Sequence, residues 1–337
     1  MHKDKVVEIA NDIGIEIIGF THPGPFERIE EQLKKRSEAQ RSTEFEEDDL
    51  DLRLDPRKTM KGCKSIIVIG ISYNLEYNHK TKVDIKGSLS KSSWGSDYHF
   101  VLKDKMESLV TEMKKNFDFD YKLFVDTGPL IDRELAYRAG IGYYGKNCSI
   151  INPDYGSFIF IGYILTDLEL EIDYYQMESQ CGDCTLCLDA CPTGALEAPG
   201  ILNPKICISY LTQTKELIPE ELSSRMGIKV YGCDTCQSVC PKNKDIHLSS
   251  HQEFSPSKTE GVIDIKELAH MSKKEFKEKY GDMTGSWRGK TVLLRNAVIA
   301  LENIGARNYI DIIETIDKKN VELLEPYTSR ILKNMVE

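Results

Sequence analysis

Eight of the ten cysteines fall in two runs whose spacing suits metal chemistry. Cys181, Cys184, Cys187 and Cys191, closed by Pro192, read C-x2-C-x2-C-x3-C-P. Three thiolates this close together can cap three irons of one cubane, while the fourth, after a longer spacer and a turn, points to a neighbouring cluster. The second run, Cys233, Cys236 and Cys240 before Pro241, lacks its first cysteine, which Cys207 can supply. Exchange of the last ligands then places one [4Fe-4S] cluster on Cys181, Cys184, Cys187 and Cys240, and another on Cys191, Cys207, Cys233 and Cys236. A pair of zinc sites would also use C-x2-C pairs, but would leave the interlocked spacing and both Cys-Pro ends unexplained. Cys63 and Cys148 remain, and each is expected to be an inert, buried thiol.

Two cubanes carry electrons singly, so they need a site that uses them. A simple electron carrier would be far shorter than 337 residues. The long segment before the cysteines is therefore expected to hold that site. Met1 to Gly14 lacks the apolar stretch and cleavage site of a secretory leader, and no apolar run reaches membrane-spanning length. A cytoplasmic protein without a membrane partner is expected, in a reducing compartment where bunched cysteines bind metal rather than pair as disulfides. A net charge of −10 gives no whole-molecule attraction to nucleic acid, so an RNA partner would need a local basic patch. No exposed apolar stripe stands out, which favours a monomer.

The elements that must position this chemistry are legible in outline. Val6, Val7, Ile9, Ala10 and Ile13 recur at helical spacing over residues 3–13, with Gly14 as C-cap. Ser65 to Tyr73 is a continuous β-branched run, and Tyr121 to Val125 and Phe158 to Leu165 resemble it, which predicts buried strands. Between the first two, Val101 to Phe117 carries an amphipathic helix, so strand, helix and strand imply an α/β layer. Glu27 to Asp55 reads as a polar helix and a charged loop. After the cysteines, residues 291–304, 309–316 and 321–335 read as short amphipathic helices. The expected class is α+β, with a catalytic domain over 1–175, a bacterial-ferredoxin-like double-cluster module over 176–250 and a helical, HEAT-like region over 251–337.

Several motifs run in order from about Arg53 to Lys244. They are Trp94-Gly95-Ser96-Asp97-Tyr98-His99, Val125-Asp126-Thr127-Gly128-Pro129, Asp132-Arg133-Glu134-Leu135-Ala136, Ala139 to Asn147, and Cys207-Ile-Ser-Tyr-Leu-Thr-Gln. With the cysteine runs they resemble the epoxyqueuosine reductase (QueG) family. The resemblance implies a cobalamin-dependent enzyme that reduces the epoxide of epoxyqueuosine at the wobble position of tRNA, in the last step of queuosine biosynthesis. Cobalamin is implied by that resemblance alone. So are its contacts with Arg53, Ser90, Asp126, Ile150, Ser209 and Asp234.

Opening an epoxide releases an alkoxide unless an acid protonates it. Asp126, at the end of a predicted strand before a Thr-Gly-Pro turn, is the candidate proton donor, and an apolar or corrin-lined pocket is expected to keep it protonated near neutrality. Its ordinary alternative is a turn cap. His99 could face the cofactor or simply start a helix. Arg288, Lys290 and Arg295 lie in a stretch without acidic residues and are expected to meet the anticodon-loop phosphates, with Trp287 stacking on an unpaired base. An external electron donor is also implied. The competing readings are another corrinoid iron–sulfur reductase, of the reductive dehalogenase kind, and a non-enzymatic electron-transfer subunit.

Overall fold

A computed structural model describes residues 3–78, 83–172 and 175–336. The opening helix, Lys3–Ile13, ends at Gly14, whose φ of +78° suits a residue without a side chain. Two sheets carry the strands β1 (Ile17–Thr21), β2 (Ser65–Ser72), β3 (Lys86–Leu89), β4 (Tyr121–Val125), β5 (Ile159–Thr166), β6 (Lys229–Tyr231) and β7 (Val262–Asp264).

The larger sheet has the order β1-β2-β5-β4, and every neighbouring pair is antiparallel. Helix Tyr98–Lys114 packs on this sheet, as the strand–helix–strand reading of an α/β layer expects, but the two strands it joins are not neighbours. Strands β2 and β4 run the same way on either side of helix Tyr98–Lys114, but β5 lies between them and pairs with both. The continuous apolar run of β2 has a direct cause. Ile67, Ile69 and Ile71 share a core with Val6, Ile9, Leu102, Met106 and Leu109, while Ile66 and Val68 pack with Phe26, Leu54, Leu135 and Ala136. Both faces of the sheet are covered, so apolar residues occupy both phases of the strand alternation.

The smaller sheet joins three distant parts of the chain. Strand β3 is central, with β6 parallel on one side and β7 antiparallel on the other. Beside it, Ile208, Leu211, Met226 and Val230 share one core with Leu268, Leu293, Val298, Ile312 and Tyr327. The composition boundary after residue 250 thus cuts through one packing unit, because apolar burial continues where the cysteine-rich composition stops. The C-terminal helices form over Gly289–Asn303, Ile310–Asp317 and Glu325–Val336. Among the described residues no helix is long and apolar enough to cross a membrane.

Candidate functional site

The cysteine loops are held by two short helices, Leu186–Asp189 and Thr235–Ser238, which pack together. Cys181, Cys184, Cys187 and Cys240 line one cavity with Lys146, Ile151 and Lys242. Lys146 Nζ donates to the carbonyls of Gly182 (2.6 Å) and Cys184 (3.0 Å), tying this loop to the N-terminal region. Cys207 lies within electrostatic reach of Cys233 and Cys191. Burial pushes the Cys236 thiol up to about 12, reinforced by Cys207, Cys233, Cys187 and Cys191. Clustered sulfurs that resist ionisation together call for a cationic group, since metal coordination deprotonates thiols outright. Among the described residues no three His, Cys, Asp or Glu side chains converge closely enough for a single metal ion. None of the ten cysteines is in a disulfide. The donor chemistry and the partition into two adjacent fours fit a pair of cubanes better than zinc.

Asp126 stands at the end of β4 in a tight turn, with φ +57° and a Thr127 N–H to Val125 carbonyl contact of 2.5 Å. Strand β4 is a half-buried edge strand rather than the buried one expected, with only Val125 buried, and a left-handed aspartate at its tip is the kind of conformation that clusters at functional sites. Its side chain is 64% exposed, so the carboxylate opens to solvent beside His99. His99, in the first turn of helix Tyr98–Lys114, reaches Asp126 Oδ2 with Nε2 at 3.5 Å. Its Nδ1 lies 2.7 Å from Oδ1 of Asp97, which also caps the helix by accepting the His99 N–H.

The charges of this cluster correct one expectation. Desolvation acts to raise the Asp126 carboxyl, but hydrogen bonds from His99 and Tyr98, with the charges of His99 and Arg133, outweigh it and hold Asp126 below the usual range. Burial acts to lower His99, but its two carboxylate partners, Asp126 and Asp97, raise it to about 9. In this pair Asp126 is ionised and the proton sits on His99, because an ion pair is cheaper here than a lone neutral acid.

An aromatic ladder connects the two halves of the site. Tyr73 stacks on Phe160 (4.2 Å), Phe160 on Tyr98 (4.1 Å) and Tyr98 on His99 (4.1 Å). Tyr73 is itself within electrostatic reach of Asp234 and Cys236. The ladder therefore runs from the second cysteine set to the Asp126–His99 pair.

The remaining expected residues are dispersed unevenly. Asp234 Oδ2 accepts the Lys91 N–H at 2.6 Å, and the Ser90 N–H donates to the Tyr231 carbonyl at 2.9 Å, so Ser90 and Asp234 share one corner. Burial raises Asp234 to about 6. Ile150 is buried in a hairpin opposite Tyr144, and the Ser209 carbonyl accepts from Thr212 and Gln213. Arg53 pairs with Glu46 at 3.0 Å in a charged groove with Arg36 and Lys205. A corrin, whose rim is fringed with amides, would find an acceptor in Asp234, a half-buried carboxyl with capacity beyond one N–H.

The basic stretch needs correcting. Arg295 is 0% exposed and donates to the carbonyls of Thr214 (2.6 Å) and Leu211 (2.7 Å), so it meets no phosphate. The neighbouring Asn296 likewise holds the carbonyls of Thr212 and Val230. Lys290 is half-buried and donates to the Met271 carbonyl. Arg288 is half-buried too, with Nε donating to the Gln213 carbonyl at 2.5 Å, and its guanidinium lies 4.6 Å from the Trp287 ring centroid and 5.1 Å from that of Phe45. Trp287 is 55% and Phe45 40% exposed, and the two rings meet edge to face at 5.6 Å. Phe45, in the charged loop read as plain solvated surface, was not expected here; a lone aromatic among carboxylates was its only signal. Trp287 Nε1 donates to the Tyr231 hydroxyl, which lies within electrostatic reach of Asp97 and Asp126. The aromatic pair thus borders the site.

Residues 180–243 match the family described as 4Fe-4S double cluster binding domain. Residues 53–127 match the family described as Epoxyqueuosine reductase QueG, DUF1730. Epoxyqueuosine reductase of Bacillus anthracis is 43% identical over 303 residues, 89% of this chain and 80% of the relative. A crystal structure of epoxyqueuosine reductase with a tRNA-Tyr epoxyqueuosine-modified stem loop is 40% identical, with a TM-score of 0.88 over 92% of this chain and 84% of that one. The enzyme from Bacillus subtilis, solved with its catalytic loop swung out of the active site, is 37% identical, with a TM-score of 0.91 over 98% and 89%.

Proposed function

This chain belongs to the epoxyqueuosine reductase family, and from that premise we propose that it reduces epoxyqueuosine in the anticodon loop of tRNA to queuosine, with Asp126 delivering the proton. The reaction converts an epoxide to an alkene, consuming two electrons and two protons and releasing the oxygen as water. Cysteines 181, 184, 187 and 240 would hold one [4Fe-4S] cluster, and 191, 207, 233 and 236 the other. Ser90 and Asp234 would hold the rim of a cobalamin, with Arg53, Ile150 and Ser209 as further contacts. When bound, these groups supply single electrons and a low-valent metal able to open the epoxide.

The observation that carries the reading is the solvent-open Asp126–His99 pair, 3.5 Å apart. Asp126 is placed to face the substrate, and His99 holds the proton that Asp126 needs. Passage of that proton through the carboxylate onto the epoxide oxygen leaves His99 neutral, held in orientation by Asp97. The Tyr98 hydroxyl, beside the same carboxylate, helps to hold it ionised. The Phe45–Trp287 pair with Arg288 offers exposed rings and a cation for an unpaired base and its phosphate, which supports an anticodon-loop partner.

The protein is further read as a cytoplasmic monomer supplied by an external electron donor. Its exposed large apolar side chains, such as Phe100 on helix Tyr98–Lys114 and Leu217 and Leu248 on two different loops, are scattered along the chain, which supports the monomer. The deciding experiment incubates reconstituted, reduced protein with epoxyqueuosine-containing tRNA, with and without cobalamin, and reads the nucleosides by mass spectrometry. Cobalamin-dependent queuosine is expected. Full conversion without cobalamin would remove the corrinoid part, and no conversion under either condition would remove the activity.

A further inference from the structure

The cavity shared by Cys181, Cys184, Cys187 and Cys240 carries charge of one sign. Lys146 and Lys242 line it, and no carboxylate does. Among the described residues neither lysine has a carboxylate partner. Lys146 Nζ donates to the carbonyls of Gly182 (2.6 Å) and Cys184 (3.0 Å), and Lys242 Nζ to the side-chain carbonyl of Gln180 (3.3 Å), so these bonds leave both charges uncompensated. Asp183, in the same loop, is exposed and stays off the cavity wall.

Lys146 is also held from its own backbone. It lies in the hairpin turn between Tyr144 and Ile150, closed by the Gly145 N–H on the Ser149 carbonyl (2.8 Å) and the Cys148 N–H on the Gly145 carbonyl (3.0 Å). Its carbonyl accepts the Gly200 N–H at 2.9 Å. An ammonium anchored at both ends cannot swing freely into water. The second cysteine set is surrounded differently. Cys207 and Cys233 pack against the large C-terminal core. The charged group next to Cys233 is the carboxyl of Asp234, which has Lys91 and Lys229 within its own electrostatic reach.

We propose that Lys146, assisted by Lys242, is a positioning residue that sets a redox asymmetry, making the cluster on the first cysteine set the more easily reduced of the two. This rests on the assignment of Cys181, Cys184, Cys187 and Cys240 to one [4Fe-4S] cluster. Reduction adds one electron and one negative charge to a unit already made anionic by its thiolates, and no bond or proton changes hands. A fixed cation stabilises the reduced form more than the oxidised one, which raises the potential. Apolar surroundings at the second set act the other way, because the reduced form is the more highly charged. The first cluster is then the one a one-electron donor fills, and the second keeps the lower potential beside Tyr73 and Asp234.

Potentiometric titration of the reconstituted full chain with dithionite, followed by electron paramagnetic resonance, tests this. The wild type should show two one-electron steps. Lys146→Met should keep about eight irons and lower the upper step alone, cutting its reduced-to-oxidised ratio at a fixed potential by about tenfold, or about 59 mV. Lys146→Arg, which keeps the charge, should restore the wild-type step. Lys242→Met, which breaks a single side-chain contact, should lower the same step. A lysine that only braced the loop would change iron retention and leave the potential where it was. Should Lys146→Met shed iron, Lys242→Met carries the same test. An upper step unmoved in the iron-loaded variants overturns the proposal, as does a shift of both steps or of the lower one alone. About eight irons with unmoved steps leaves the cluster assignment standing, whereas about four or fewer in the wild type removes that assignment and the proposal with it.

Discussion

Around the first cysteine set the described chain offers a small apolar cluster, Tyr143, Ile151 and Cys240 with Met177 and Cys181 beside them, whereas the centre of the sheet that presents Asp126 is buried on both faces. The loops of residues 181–191 are half-buried or exposed throughout, while β2 is buried along its whole length. The 181–191 loop thus lacks an organic core of its own size and a cubane would serve as its core, whereas Cys207 and Cys233 pack against the large C-terminal core. In such sites binding free energy is folding free energy, on the order of 10 kcal/mol for structural metals. The Asp126 site owes its geometry instead to packed side chains and a chain of hydrogen bonds. One region should collapse when a ligand is removed; the other should keep its shape and lose only its chemistry.

The sharpest way to break this contrast is to remove a crossing ligand. Cys240→Ala or Cys191→Ala should abolish turnover and strip iron from both clusters, from about eight irons per chain towards none, while circular dichroism keeps the signal of the sheet. Retention of about four irons would show that the two sets fold independently. Next in size, Asp126→Asn should cut kcat by about 10²–10⁴ with iron content and cobalamin binding unchanged. Loss of the clusters in that variant would mean that the Asp126 site and the module are one unit.

Arg295→Ala should destabilise the fold by about 2–4 kcal/mol, through a cavity and orphaned carbonyls, and leave the tRNA affinity of folded protein unaltered. A thermal melt alongside a binding titration separates the two. His99→Gln should lower activity by about tenfold at neutral pH and remove an alkaline limb from the pH profile. Because His99 is raised from 6.5 to about 9, the stabilisation of its pair is complete below 6.5 and lost as pH rises through about 9. A wild-type profile that stays level through that window would disconnect His99 from proton delivery. The smallest effect belongs to Arg288→Glu, which should weaken tRNA binding and flatten its salt dependence by about one to two units of slope.

The same contrast governs what could be read from the residues alone. The cysteine sets were legible because their spacing is local, and a short spacer dictates which sulfurs can share a cluster. The strands and helices were legible because burial imposes a period, as in the double-faced run of β2. The order of the strands was not: nothing local to β4 tells it to pair with β5. The partner of Asp126 was hidden for the same reason, since His99 arrives from another element. Arg295 was misread because a charge in a sequence looks like a surface, and only the buried carbonyls of Leu211 and Thr214 reveal a structural role.

The small sheet has a consequence for synthesis on the ribosome. Strand β3 emerges early, but its two neighbours, β6 and β7, emerge on the far side of all eight clustered cysteines or among the last of them. Until then its edges are unpaired, and an open edge invites pairing with other chains. The nascent protein must therefore wait, with its first sheet formed and its second unfinished, while the iron-binding loops are still accessible. That interval is when cluster insertion meets the least obstruction, and cells short of iron should accumulate this chain as aggregate rather than as folded apoprotein.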